Sequence, residues 1–307
     1  MFKEKDFEIL FNDDFLSFRS DESFIPIGNE RVLSIINDFE DGNWRYNKFQ
    51  NFIWNNIKET ALSYKERKAL IGKESNVLEN SAKNLRLVES GNAKGSEIGE
   101  IVLYGIMKDY YDALPIVPKI FYKQNKNDEA KGADSVHIVV EGEDQFSLWL
   151  GEAKFYNDIS NVRLDEIIKS VKNSICSDKI RKENSIITNI SDIDYLEEIS
   201  DQLKQKIKKS LSEDISIDTI KPILNIPILL LYQCDITSKC KTMSEEYKKD
   251  ILSHQKERAT GYFKKQIEIC KDIHLYDKIR FHIIFFPIAN KENIVNKFIQ
   301  RAKVFRD

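Results

Sequence analysis

The chain has no excess of positive charge. Its 307 residues carry 47 Lys and Arg against 50 Asp and Glu, a formal charge of −3. Counterion release therefore gives it no overall attraction to nucleic acid, and any nucleic-acid channel must be local or completed by a partner. It also lacks an apolar run long enough to span a bilayer, and Met1-Phe2-Lys3-Glu4-Lys5-Asp6 does not read as a signal peptide, so a cytoplasmic protein is expected. Four cysteines at scattered positions give no disulfide framework. Cys234, Cys240 and His254 do not have the spacing of a zinc site, and free thiols are expected. There is no Gly-x-x-x-x-Gly-Lys-Ser/Thr loop and no dinucleotide glycine fingerprint, which argues against ordinary ATP hydrolysis and NAD binding. Energy-dependent work on a substrate would have to come from another subunit. His137, His254, His274 and His282 make no metal pair at helical spacing.

What the chain does have is a 41% hydrophobic content, enough for a substantial core in one elaborated domain or two. Residues 1 to about 38 mix aromatic and acidic side chains and read as short strands and loops. Helices are expected over 44–54, 61–70 and 76–87, the last stopped by Gly91-Asn92. A buried helix from about Glu97 follows, then a strand over 116–122, a hairpin, and a helix over 162–176. The charged span 177–221 reads as an insertion and a candidate partner surface. Within it, Leu196, Ile199, Leu203 and Ile207 mark an amphipathic helix over 192–211 that suits packing on its own domain equally well. The continuous apolar runs 226–232 and 279–286 read as fully buried strands, with helices over 258–270 and 292–304. Strands alternating with helices make an α/β fold with a mixed sheet flanked by helices. Residues 1–90 are expected to support a core spanning 91–307.

The chemistry concentrates in the hairpin. Residues 136–141 read as a strand, Gly142-Glu143-Asp144 as a turn and 146–155 as the returning strand. Side chains alternate along a strand, so Glu152 and Lys154 share a face and Ala153 points the other way, toward a covering helix. Asp134, at the mouth of the hairpin, would lie beside Glu152, whereas His137 faces away. An acidic residue followed by Glu-x-Lys on the next strand is the pattern of PD-(D/E)xK metal-dependent nucleases. Hydrolysing a phosphodiester requires neutralising the phosphate and supplying hydroxide at neutral pH, which a hard divalent cation held by carboxylates does. Asp134 and Glu152 would be ligands, and Lys154 would orient or help deprotonate the attacking water and offset phosphate charge. Glu97 or Glu100, three apart on one helical face, would complete the metal site, or would simply favour the positive end of the helix dipole. An all-oxygen donor set suits Mg2+ or Mn2+. A solvent-exposed cross-strand ion pair is the plainer reading of Glu-x-Lys alone. Lys119 and Lys123 would meet a DNA backbone or stand as solvated edge lysines.

Ser96-Glu97-Ile98-Gly99-Glu100-Ile101-Val102-Leu103-Tyr104, Lys131-Gly132-Ala133-Asp134-Ser135-Val136-His137 and Leu150-Gly151-Glu152-Ala153-Lys154-Phe155-Tyr156 resemble the HamA family, closely over about 61–175. That resemblance implies a restriction-endonuclease-like core and the nuclease subunit of Hachiman antiphage defence. It also implies a metal-dependent effector that degrades DNA in complex with the superfamily 2 helicase HamB. Ala133 stands where the motif's name has proline, a position that ligates nothing. A non-catalytic DNA- or protein-binding module on the same scaffold is one alternative, against which the intact Asp134, Glu152 and Lys154 argue. A stand-alone restriction or repair nuclease is the other, and co-purification with a helicase separates it.

Overall fold

Two runs dominated by Ile, Leu and Phe form the centre of the structure. In the computed structural model, which describes residues 5–86, 96–124, 132–190 and 192–306, Leu224–Gln233 and Arg280–Ile288 are adjacent parallel strands with nearly every residue buried. Parallel strands need helices over both faces, and this sheet has them.

In chain order, β1 (Glu8–Asp14), α1 (Phe15–Phe18), β2 (Glu30–Ile36), a small hairpin of β3 (Phe39–Glu40) and β4 (Asn43–Trp44), α2 (Tyr46–Ala61), α3 (Tyr64–Ala69) and α4 (Glu74–Lys83) come first. The middle comprises α5 (Ser96–Tyr111), β5 (Leu114–Pro115), α6 (Lys119–Gln124), β6 (Ser135–Val140), β7 (Phe146–Tyr156), α7 (Asn161–Ser174), α8 (Ser177–Ile190), α9 (Asp201–Ser210) and α10 (Ile217–Ile220). Then β8 (Leu224–Gln233), α11 (Asp235–Lys239), α12 (Glu245–Cys270), β9 (Arg280–Ile288) and α13 (Lys291–Arg306) close the chain. Seven strands form one sheet in the order β1-β2-β9-β8-β7-β6-β5. The four strands β2, β9, β8 and β7 are parallel, and β1, β6 and β5 run antiparallel to their neighbours. The fold is mixed α/β, a seven-stranded mixed sheet flanked by helices that is consistent with a nuclease-like core.

The period of two along the central strands divides the apolar residues between two cores. Leu229, Leu231, Ile284 and Phe286 pack with Phe49 and Phe52 of α2, Ile101 of α5 and Phe298 of α13. Ile228, Leu230, Ile283 and Phe285 belong with Ile167 and Ile168 of α7, Ile187 of α8, Ile207 of α9 and Phe263 of α12.

Several expectations need correction. The span 116–122 is not a strand: pairing ends at Pro115, and Lys119–Gln124 is helical. The fixed φ of Pro118 suits a helix start, and its carbonyl accepts from Tyr122 N–H at 3.2 Å. Lys119 is therefore a buried helical residue, neither an edge lysine nor a DNA contact. Over 192–211 the apolar pattern spans two elements, a 3-10 turn at Ile193–Tyr195 and α9, which begins after the Ser200 cap. The span 177–221 covers the sheet, its Ile180, Ile187, Leu203 and Leu211 buried in the main core. The helix expected over 258–270 is part of α12, which begins at Glu245, whereas the short strands expected in the first 38 residues are present as β1 and β2 of the sheet. The Gly91-Asn92 stop lies outside the described residues, as does the side chain of Lys123. All four cysteines are free. Among the described residues no helix is long and apolar enough to cross a membrane.

Two histidines are buried. His137 packs its ring on Tyr104 at 4.4 Å, and His282 Nε2 lies 2.9 Å from Asn225 Oδ1. Burial lowers both pKa values to about 3. The unfolded chain takes up these protons below about pH 6.5 and the folded chain does not, so stability is retained above that pH and lost as pH falls toward 3. Between pH 7 and 5.5 the two imidazoles should together cost about 2–3 kcal/mol, measurable by urea denaturation at each pH. His137→Phe should remove half of that dependence. An unchanged slope in a folded variant would rule out the assignment.

Candidate active site

The site is built on β7, where Gly151-Glu152-Ala153-Lys154 alternates a small residue with a charged one. Glu152, Ala153 and Lys154 pair with Ile228, Leu229 and Leu230 of β8, so the two charged residues lie on the face of Ile228 and Leu230 and Ala153 on the opposite one. The small residues lie under α5: a Cβ on Gly99 would stand 3.5 Å from the Ala153 Cβ, and one on Gly151 would meet a Leu103 methyl at 2.8 Å. This is the covering helix expected on the Ala153 side. Glu152 and Lys154 point away from it, toward α7.

Asp134 immediately precedes β6. Its N–H donates to the Gly151 carbonyl at 2.8 Å, and Ser135 pairs with Gly151, which continues to place Asp134 opposite Glu152. Since β6 begins only at Ser135, the Ala153 amide has no β6 carbonyl to meet and donates to Asp134 Oδ2 at 3.0 Å. Glu152 is buried, and its Oε2 accepts from Ser170 Oγ at 3.1 Å and from Lys154 Nζ at 2.8 Å. Ser174 Oγ lies 3.1 Å from Glu152 Oε1 and 3.0 Å from the Ser170 carbonyl, so its single proton serves both. Burial opposes the charge on Lys154, but Glu152 and Asp134 outweigh it and raise its pKa above the usual value. Lys154 therefore keeps its charge through the neutral range and is suited to act as a cation rather than as a base.

The family model for HamA matches residues 10–302. The chain belongs to the HamA family. No curated protein and no solved structure matches it. Membership makes it a protein of Hachiman antiphage defence. The match also reaches far beyond the 61–175 span that carries the motifs, into the N-terminal strands and the closing helix.

In this HamA-family chain Asp134, Glu152 and Lys154 come together as the spacing requires, and His137 faces α5. Glu97 accepts from the Arg86 amide at 2.7 Å, and Glu100 is buried on α5, where its charge adds to the burial that raises the Tyr104 pKa. Among the described residues no three His, Cys, Asp or Glu side chains are grouped as metal ligands. Sequence reasoning missed Ser170 and Ser174, whose i, i+4 spacing on α7 is legible but whose facing is not. It also missed Glu183, which accepts from the Ala133 amide at 2.6 Å and from Lys119 Nζ at 2.9 Å.

A hydroxyl donated to a buried carboxylate stabilises the ionised form. Ser170→Ala should cost about 1.5–3 kcal/mol in the parent HamA-family protein and about 1 kcal/mol or less when Glu152 is already Gln, because the bond is to a charge. Urea denaturation of the four proteins of that cycle measures the coupling, and additive costs would show that the hydroxyl does not act on Glu152.

Proposed function

We propose that this HamA-family protein is a divalent-metal-dependent DNA nuclease, the effector of an antiphage complex with the helicase HamB. The observation that carries the reading is the placement of two carboxylates, Asp134 and Glu152, on one strand-end face against a lysine that both keep charged. Their oxygens are hard donors with no thiolate or imidazole among them, and Mg2+ commonly takes only one or two protein carboxylates and keeps several waters. The residues therefore fit Mg2+ or Mn2+ without Glu97 or Glu100. A bound ion supplies charge neutralisation at the phosphate and a source of hydroxide at neutral pH. Asp134 is oriented for this by the Ala153 amide, and Glu152 by Ser170 and Ser174. Lys154 is placed to hold the scissile phosphate or the attacking water by its charge.

Purified protein incubated with plasmid DNA should cut it in Mg2+ and stop in EDTA. Glu152→Gln, Lys154→Ala and Asp134→Asn should each lower the rate by about 10²-fold or more while leaving the melting transition cooperative. A folded variant cutting at the parent rate would remove that residue from the site. Metal-dependent binding without any cleavage would favour the non-catalytic module.

The charge of −3 and the absence of a P-loop motif motivate the partner. A nuclease with little non-specific affinity for DNA is well served by a subunit that has such affinity and turns over ATP. Co-expressed with HamB, the two chains should co-elute in size-exclusion chromatography, and an ATPase-dead HamB should abolish DNA degradation. Separate elution at micromolar concentration, with full activity from this chain alone, would establish a stand-alone nuclease instead.

A further inference from the structure

Glu183 lies on α8 and is buried together with Lys119 of α6. Its Oε2 accepts from Lys119 Nζ at 2.9 Å, and its Oε1 from the Ala133 backbone N–H at 2.6 Å. Ala133 is the residue before Asp134, and a Cβ on Gly132 would fall on the same carboxylate. A buried ion pair is a poor way to gain stability, because desolvating two charges offsets most of their attraction and apolar side chains of similar volume do as well. The pair therefore calls for another explanation, and the second carboxylate oxygen supplies one.

The backbone at 132–134 precedes the β6 ladder, which begins with Ser135 opposite Gly151. Asp134 N–H is held by the Gly151 carbonyl, and Ala133 N–H would have no acceptor without Glu183. Two consecutive amides are thus anchored to two different elements, β7 and α8. Anchoring both restricts rotation about the Ala133 and Asp134 backbone, and that rotation sets where the Asp134 carboxylate points. Gly132 leaves the space in which the Glu183 carboxylate reaches the chain.

We propose that Glu183 is a positioning residue for the site: acting through the Ala133 amide, it holds the Asp134 carboxylate opposite Glu152, and Lys119 fixes the other oxygen of Glu183. This rests on the reading of Asp134 as a metal ligand. It also makes α8, which the sequence marks as part of an insertion, a component of the site's alignment.

Two paired substitutions separate the acceptor from the charge. Lys119→Gln with Glu183→Gln keeps an oxygen for Ala133 N–H and replaces the ion pair by a neutral hydrogen-bonded one. Lys119→Met with Glu183→Leu removes the acceptor altogether. In the full-length protein, Mn2+ affinity by electron paramagnetic resonance and Ala133 amide exchange by NMR are read alongside cleavage. The apolar pair should bind Mn2+ about 10- to 100-fold more weakly, exchange the Ala133 amide faster, and lose kcat with little change in KM for DNA. The Gln pair should stay within about threefold of the parent in Mn2+ affinity, since its oxygen still receives the amide.

Should the apolar pair fail to fold, Gly132→Ala reads the same contact, because its methyl displaces the Glu183 carboxylate, and it should weaken Mn2+ binding likewise. Parent affinity in a folded apolar pair or in Gly132→Ala, or equal losses in the Gln and apolar pairs, would overturn the proposal and leave the nuclease reading intact. Parent affinity in Asp134→Asn would overturn the metal-ligand reading and this proposal with it.

Discussion

The alternation of β7 is the constraint on which the site depends. Gly151 and Ala153 face α5, where a Cβ on Gly151 would meet a Leu103 methyl at 2.8 Å and Gly99 lies against the Ala153 Cβ, and this places Glu152 and Lys154 on the other face. A slip of one residue would put the carboxylate and the ammonium under α5 and bring Gly151 and Ala153 to the face toward α7. Burying those two charges in an apolar layer costs several kcal/mol at least, so packing against α5 enforces the register that sets Glu152 and Lys154 on one face. The site is thus a consequence of how one helix closes on one strand.

Around that register the protein arranges carboxylates whose orientation comes from elements far apart in the chain. Ser170 and Ser174 of α7 reach Glu152, the Ala153 amide reaches Asp134, and Glu183 of α8 reaches the amide before Asp134. The span 177–221 has few apolar residues, but those it has complete the core on the Glu152 side of the sheet. The N-terminal strands extend the same sheet on its far side, with β2 parallel to β9. Both facts agree with a HamA family match that runs over nearly the whole chain rather than the motif region alone.

Much of this was legible in the sequence. The hairpin, the shared face of Glu152 and Lys154, the turn of His137 away from them and the buried strands β8 and β9 follow from a period of two and from unbroken apolar runs, which are local properties of a strand. The span 116–122 fits a strand or a buried helix equally well by its short apolar run, and Pro118 within it decides for the helix. The apolar steps over 192–211 continue across the break between a 3-10 turn and α9, so spacing alone could not place the helix start.

The sequence by itself determined that Glu152 and Lys154 share one face of β7, since alternation needs only the backbone. It also settled the absence of a disulfide framework and of a P-loop motif. Tertiary structure alone decided what surrounds those residues. Lys119 and Glu183 are separated by 64 positions and meet only because the fold brings α6 and α8 within side-chain reach. Glu97 and Glu100 are indistinguishable by spacing, and the way α5 lies on the sheet buries Glu100 and gives Glu97 the Arg86 amide. The raised pKa of Lys154 likewise depends on two carboxylates, one on β7 and one just before β6, acting together in a partly buried place, a long-range electrostatic property that no local pattern encodes.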